Sequence, residues 1–193
     1  MNQSGDQSGE KRPLGLRIWH WGSGLTLLLI LATVLLRKTF LSSRKMAEVI
    51  SGELAKGGVQ VSPDLAKTAA RAVRDGMWEW HYRLGFVLVF WFVFRLVAGR
   101  FPFPRPKNLK DATHAVFYLV TAFMAVSGLA MYFSGSLGIS DAIVDETKEI
   151  HEAGQWFFFA FVPVHLFAVV RAELKGGTSG ERGIVSRMIH GGE

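Results

Sequence analysis

The residues best suited to chemistry in this sequence are its histidines. RIWHWGSG (17–24), WEWHYRLG (78–85), DATHAVFY (111–118) and FVPVHLFA (161–168) each set an imidazole at the edge of, or inside, a strongly apolar run. His151 opens a further one, HEAGQWFFFAFVPVH, and the sixth histidine, His190, lies in the tail, as plain surface or as a point of affinity for a partner. An unpaired polar group is costly in hydrocarbon. A histidine at membrane depth therefore implies either a bond to a neighbouring helix or a functional site.

Depth sorts these histidines. With the first apolar segment starting on the cytoplasmic side, His20 and His165 fall near the inner face, and His81 and His151 near the outer face. Each pair joins two different helices. His151 and His165 are close to four helical turns apart, so they share a face and stand roughly 21 Å apart along the axis; Pro163 can bend the helix between them. Two histidines on one helix, each matched in depth by one on another helix, suit two stacked metallo-cofactors. A flat porphyrin needs clearance beside its ligand. Gly24 and Gly85 follow His20 and His81 by four residues, and Gly154 follows His151 by three; each supplies clearance or serves ordinary helix packing. Two imidazoles on one iron fill its axial shell, which suits electron transfer rather than oxygen binding. Zinc is a poorer match, since it takes about four ligands and each level offers two histidines, with Glu149 and Glu152 as the only nearby carboxylates. Arg17, Arg83 and Arg171 are either interface anchors or counter-charges for haem propionates.

Helices long enough to cross a bilayer must position these residues. The chain is 49% hydrophobic, and the apolar residues are concentrated. Residues 18–36, 112–133 and 153–170 contain no charged side chain, while 84–94 is an uncharged centre bracketed by Arg83 and Arg95. About 20 apolar residues span a bilayer core, and arginines near span ends can snorkel. The expected class is all-α: an integral membrane four-helix bundle with spans at about 17–36, 78–99, 112–133 and 152–171. No cleavable signal peptide is expected, since the first apolar run is too long for one. Cysteine is absent, which excludes disulfides, thiolate metal sites and thioether-linked haem. The net charge of +6 fits a solvated surface or anionic lipid, and no basic–aromatic pattern points to nucleic acid.

Three domains are expected: a flexible lead over 1–16, the four-span unit over 17–172 and a cytoplasmic tail over 173–193. Lys11, Arg12 and Arg17 precede the first span, five Lys or Arg residues lie between the second and third (Arg95, Arg100, Arg105, Lys107, Lys110), and four follow the last (Arg171, Lys175, Arg182, Arg187). The loop before the fourth span is acidic. The positive-inside rule then places both termini in the cytoplasm, although the long first loop is also rich in Lys and Arg. That loop predicts two short amphipathic helices: one carrying Met46, Val49, Ile50 and Leu54, the other starting at Ser62-Pro63, enclosing Leu65, Ala69, Ala72 and Val73, and stopping at Gly76. They would lie on the outer surface or against a partner. RFPFPRPKN (100–108) predicts an extended linker, and the tail a segment that docks.

RIWHW opening the first span, WEWHYRLG opening the second and the two-histidine spacing of HEAGQWFFFAFVPVH make residues 17–170 resemble the prokaryotic cytochrome b-561 and Ni,Fe-hydrogenase b-type cytochrome family, which includes formate dehydrogenase membrane subunits. The resemblance implies four helices holding two b haems with bis-histidine ligation, His20 and His165 on the inner one and His81 and His151 on the outer. It implies electron transfer in the bacterial inner membrane between a periplasmic hydrogenase, dehydrogenase or cytochrome and the quinone pool, by a stand-alone cytochrome or the cytochrome subunit of a quinone-linked oxidoreductase. The long first loop departs from the compact branch of the family. His114, at the inner end of the third span, is an interface histidine or the titratable donor of a quinone site. The alternative role for the whole chain is an anchor subunit that docks a hydrogenase or dehydrogenase, with electron transfer secondary. A transporter is disfavoured, since there is no inverted repeat or broken-helix pair.

Overall fold

A computed structural model of the chain describes residues 13–98, 109–178, 185, 188 and 189. Residues 1–12 of the expected lead, the linker over 100–108, most of the tail and His190 lie outside the described residues. The elements in order are α1 (Leu14–Lys38), α2 (Ser43–Lys56), α3 (Pro63–Val97), α4 (Leu109–Tyr132), the single turn α5 (Ser134–Leu137) and α6 (Asp141–Thr178). There is no strand among the described residues. The helices α1, α3, α4 and α6 are long and apolar enough to cross a membrane, and the protein is a helical membrane bundle.

Local chemistry sets the helix ends. α1 starts after Pro13, whose fixed φ suits a helix entrance, and closes with Arg37 and Lys38 in its last turn, where cations favour the helix dipole. α3 starts as the Ser62-Pro63 pair predicts: Ser62 Oγ accepts the Leu65 N–H at 3.2 Å. Between α2 and α3, Gly58 takes φ +81° and its N–H reaches Ala55 O at 3.0 Å, while Val59 N–H reaches Leu54 O at 2.9 Å, the pairing that ends a helix at a left-handed glycine.

The first loop departs from expectation at one point. α2 is the first of the two predicted amphipathic helices. The second does not stop at Gly76 but continues through it as the N-terminal extension of α3. A glycine inside a helix costs about 1 kcal/mol against alanine. Good helix formers on both sides and the burial of Met77 outweigh that here. α2 packs on the extension through Ala47, Ala66 and Ala70, the last two fully enclosed, with Met46, Ile50 and Val61 around them. Small side chains at this seam let the two backbones approach closely.

The spanning helices form a ring in which α1 neighbours α3, α3 neighbours α4, α4 neighbours α6 and α6 neighbours α1. α3 and α6 thus face each other across the bundle. α6 is the longest helix, 38 residues or roughly 57 Å, so it projects well beyond a hydrocarbon core of about 30 Å. The bundle core is Leu27, Leu31 and Phe158, packed on by Phe117, Val120, Met124, Phe157, Phe159 and Val162. Phe158 lies two turns from His151 on one side and two from His165 on the other. The core is therefore an apolar layer between the two histidine levels.

Candidate haem-binding sites

Four half-buried histidines come together in two groups. At one level, His20 of α1 and His165 of α6 bring their ring centroids to 6.1 Å with planes at 56°. Two imidazoles sharing one iron, each bonded at about 2 Å, hold their centroids roughly 6 Å apart. The separation of the rings matches that distance. The neighbours are aromatic. Phe161 lies flat on the His165 ring at 5.6 Å and 11°, and Trp21 meets His20 edge-on at 5.8 Å. Trp19 is anchored by its indole N–H donating to Trp91 O at 2.9 Å, stacks on Tyr118 and carries the Arg95 guanidinium over its face at 5.2 Å.

At the other level stand His81 of α3 and His151 of α6, near enough to each other for an electrostatic interaction. Here the ring nitrogens have directional partners. Thr33 Oγ1 of α1 lies 2.7 Å from His81 Nδ1, and Ser127 Oγ of α4 lies 2.8 Å from His151 Nδ1. Trp78 meets the His81 ring edge-on at 5.1 Å, and Arg37 lies 5.3 Å over Trp78. Arg37 Nη1 donates to Glu152 Oε1 at 2.8 Å, so the residue beside His151 is tied to the end of α1. Lys38 covers Trp156 at 4.7 Å.

The glycines separate into two kinds. A Cβ added at Gly22 would run into the Trp91 ring, and one at Gly154 into the Met124 sulfur, so these two are packing glycines. At Gly128 a Cβ would stand 3.4 Å from His151 Cε1, so that glycine lets the imidazole lie against α4. At Gly24 and Gly85 a Cβ would meet nothing within 4 Å. Neither is demanded by helix contact, and the open space beside each is compatible with a flat macrocycle. Gly154, a third clearance candidate by spacing, serves helix contact instead.

The arginines named from the sequence are directed elsewhere. Arg17 donates its Nε–H to Met188 O at 2.9 Å and so holds the tail, whose docking was expected. Arg83 pairs with Glu79 one turn back on its own helix and covers Trp80. Arg171 is exposed, as is His114 near the start of α4. Arg37, which the sequence reading passed over, reaches the His81–His151 level, and Arg95 the other by way of Trp19. Thr33 and Ser127 were passed over too. Their signal was a hydroxyl inside an uncharged span, but Thr26 and Thr121 carry the same signal, and among the described residues they bond only carbonyls of their own helices. Among the described residues no three His, Asp or Glu side chains converge as a metal cluster.

A family model described as prokaryotic cytochrome b561 matches residues 11–191. A "Probable Ni/Fe-hydrogenase B-type cytochrome subunit" of Cupriavidus necator is 30% identical over 88 residues, covering 39% of this chain and 34% of that protein. A protein of Rhodobacter capsulatus with the same description is 24% identical over 208 residues, covering 91% of this chain and 78% of its own length. The chain thus spans about a third of the length of the first relative and most of the second. No solved structure matches.

Proposed function

We propose, from the premise that this chain belongs to the prokaryotic cytochrome b561 family, that it carries electrons across the bacterial inner membrane by way of two b haems. Membership makes it a multi-pass electron-transfer cytochrome and implies haem b. The observation that carries the finer reading is the meeting of His20 with His165 at one level, with His81 and His151 in electrostatic reach of each other at a second. His20 and His165 would hold the inner haem, His81 and His151 the outer one. Each haem, when bound, would supply a one-electron couple. The chain's own residues do the rest. α6 fixes the spacing, since it bears one ligand of each pair. Gly24 and Gly85 keep room beside the ligands. The Leu27–Leu31–Phe158 layer excludes water between the levels. Both termini are cytoplasmic in this reading.

Quinone is the proposed partner at the inner end. An apolar cleft of about 440 Å³, lined by Ile18, Trp21, Gly22 and Trp91, flanks His20 and is bordered by Arg17 and the docked Met188. His114 is exposed and does not line it, so a donor role for His114 in quinone chemistry rests on the sequence alone. At the outer end the proposed partner is a hydrogenase, as the relatives' descriptions suggest. The α2–α3 hairpin, with Val49, Leu65 and Val73 exposed, favours the second reading, an anchor that docks such an enzyme.

The test is a reduced-minus-oxidised spectrum of the detergent-purified chain with a pyridine haemochrome count. Sharp low-spin b-type bands and about two haems per chain are expected. One haem would remove one pair, and no haem in a folded protein made with haem available would leave the anchor reading. A C-terminal reporter fusion active only in the cytoplasm tests the orientation.

A further inference from the structure

We propose that Thr33 and Ser127 are positioning residues that set the tautomer and the rotation of His81 and His151, and through them tune the outer haem. The inference rests on the assignment of that haem to these two histidines. Its geometry repeats on two independent helix pairs. Thr33 Oγ1 is 2.6 Å from Ile30 O and 2.7 Å from His81 Nδ1. Ser127 Oγ is 2.7 Å from Phe123 O, 3.3 Å from Met124 O and 2.8 Å from His151 Nδ1. A hydroxyl has one proton, and a carbonyl can only accept it. When each hydroxyl donates its proton to the carbonyl, its oxygen accepts from the imidazole, which then carries its own proton on Nδ1. Both rings thereby present an unprotonated Nε2, the form a metal binds.

Thr33 and Ser127 are nearly enclosed, at 7% and 5% exposure, which limits competition from water for these bonds. Each comes from a different helix than its histidine: α1 serves α3, and α4 serves α6. Ring rotation is therefore fixed by the bundle rather than by the ligand's own helix. A bond donated from Nδ1 also raises the basicity of Nε2. A more basic ligand favours the ferric state, so losing the bond should raise the midpoint potential of that haem. Gly128 belongs to the same device, since it lets the His151 ring lie within reach of Ser127.

The experiment is a potentiometric titration followed by low-spin ferric EPR, on the full-length haem-loaded protein in detergent. The variants are Thr33→Val, Thr33→Ser, Ser127→Ala and the Val/Ala double. The outer haem's signals are identified as those missing from His151→Ala. Expected are an unchanged haem count, an upward shift in the outer haem's potential with Thr33→Val and with Ser127→Ala, a larger shift in the double variant, and altered outer-haem g-values. Thr33→Ser should restore both wild-type readings, and the inner haem should not move. Loss of the outer haem alone from Thr33→Val, recovered in Thr33→Ser, supports the proposal as well. Unaltered potentials and g-values at full haem content would overturn it, and so would equal effects on both haems, which would mark the two residues as packing alone. A wild-type chain without the outer haem would instead overturn the underlying assignment.

Discussion

The two histidine levels are built from different materials. At the His81–His151 level, all four spanning helices contribute: a ligand candidate each from α3 and α6, and a hydroxyl each from α1 and α4. At the His20–His165 level the surroundings are aromatic, with Phe161 flat on His165 and Trp21 edge-on to His20. Among the described residues, His165 makes no hydrogen bond. A hydrogen bond fixes both the direction of a ring nitrogen and which nitrogen holds the proton. Stacking fixes the plane of a ring and leaves the tautomer open. The His81–His151 level therefore directs both of its imidazoles by hydrogen bonds, while the ring of His165 is held by stacking.

The strongest way to break that comparison is to remove one ligand from each level. His165→Ala should cost the inner haem and His151→Ala the outer, each reading about one haem per chain instead of two in a haemochrome assay. Loss of both from either variant would show the levels to be coupled through α6, and full haem content in both variants would end the assignment.

A slightly smaller effect is expected from filling the clearance. Gly24→Leu and Gly85→Leu should each lower the occupancy of the neighbouring haem several-fold while the helix content by circular dichroism stays at the wild-type level, because neither site is packed against another helix. Gly22→Leu should do the reverse and unsettle the fold itself by pushing on Trp91.

Phe158→Ala bears on both levels at once. It opens the layer between them, and a loss of about 3 kcal/mol in stability is expected, read as a lowered midpoint in a detergent thermal melt. Both haem spectra should broaden to a similar extent. A change confined to one spectrum would show that the layer belongs to that level only.

The smallest effects concern the charges at the two ends. Arg37→Ala removes the half-buried pair with Glu152, worth about 1 kcal/mol at most, and should disturb the outer haem's spectrum alone. Arg17→Ala should leave both spectra in place and release the tail, seen as faster protease cleavage near Met188.

How much of this could be read beforehand differs from residue to residue. The axial separation of His151 and His165 was legible because a helix converts sequence distance into axial distance at a fixed rise. Ser62-Pro63 was legible as a helix start because its bonds are local. Gly76 misled, since a glycine's local cost does not show the packing that offsets it. Gly22 and Gly24 are two residues apart and alike in composition, yet one lies under Trp91 and the other does not.

The residue types and their spacing along the chain determined that this protein is a bundle of four spanning helices with paired histidines at two depths. The helix rise and the thickness of a bilayer are constants, so depth follows from residue number. What only the tertiary structure decided is azimuth: that Thr33 rather than Thr26 faces a histidine, that Ser127 rather than Thr121 does, and that Arg37 rather than Arg83 turns inward. Azimuth depends on how each helix is rotated against its neighbours, and that rotation is set by side-chain contacts between segments far apart in the chain.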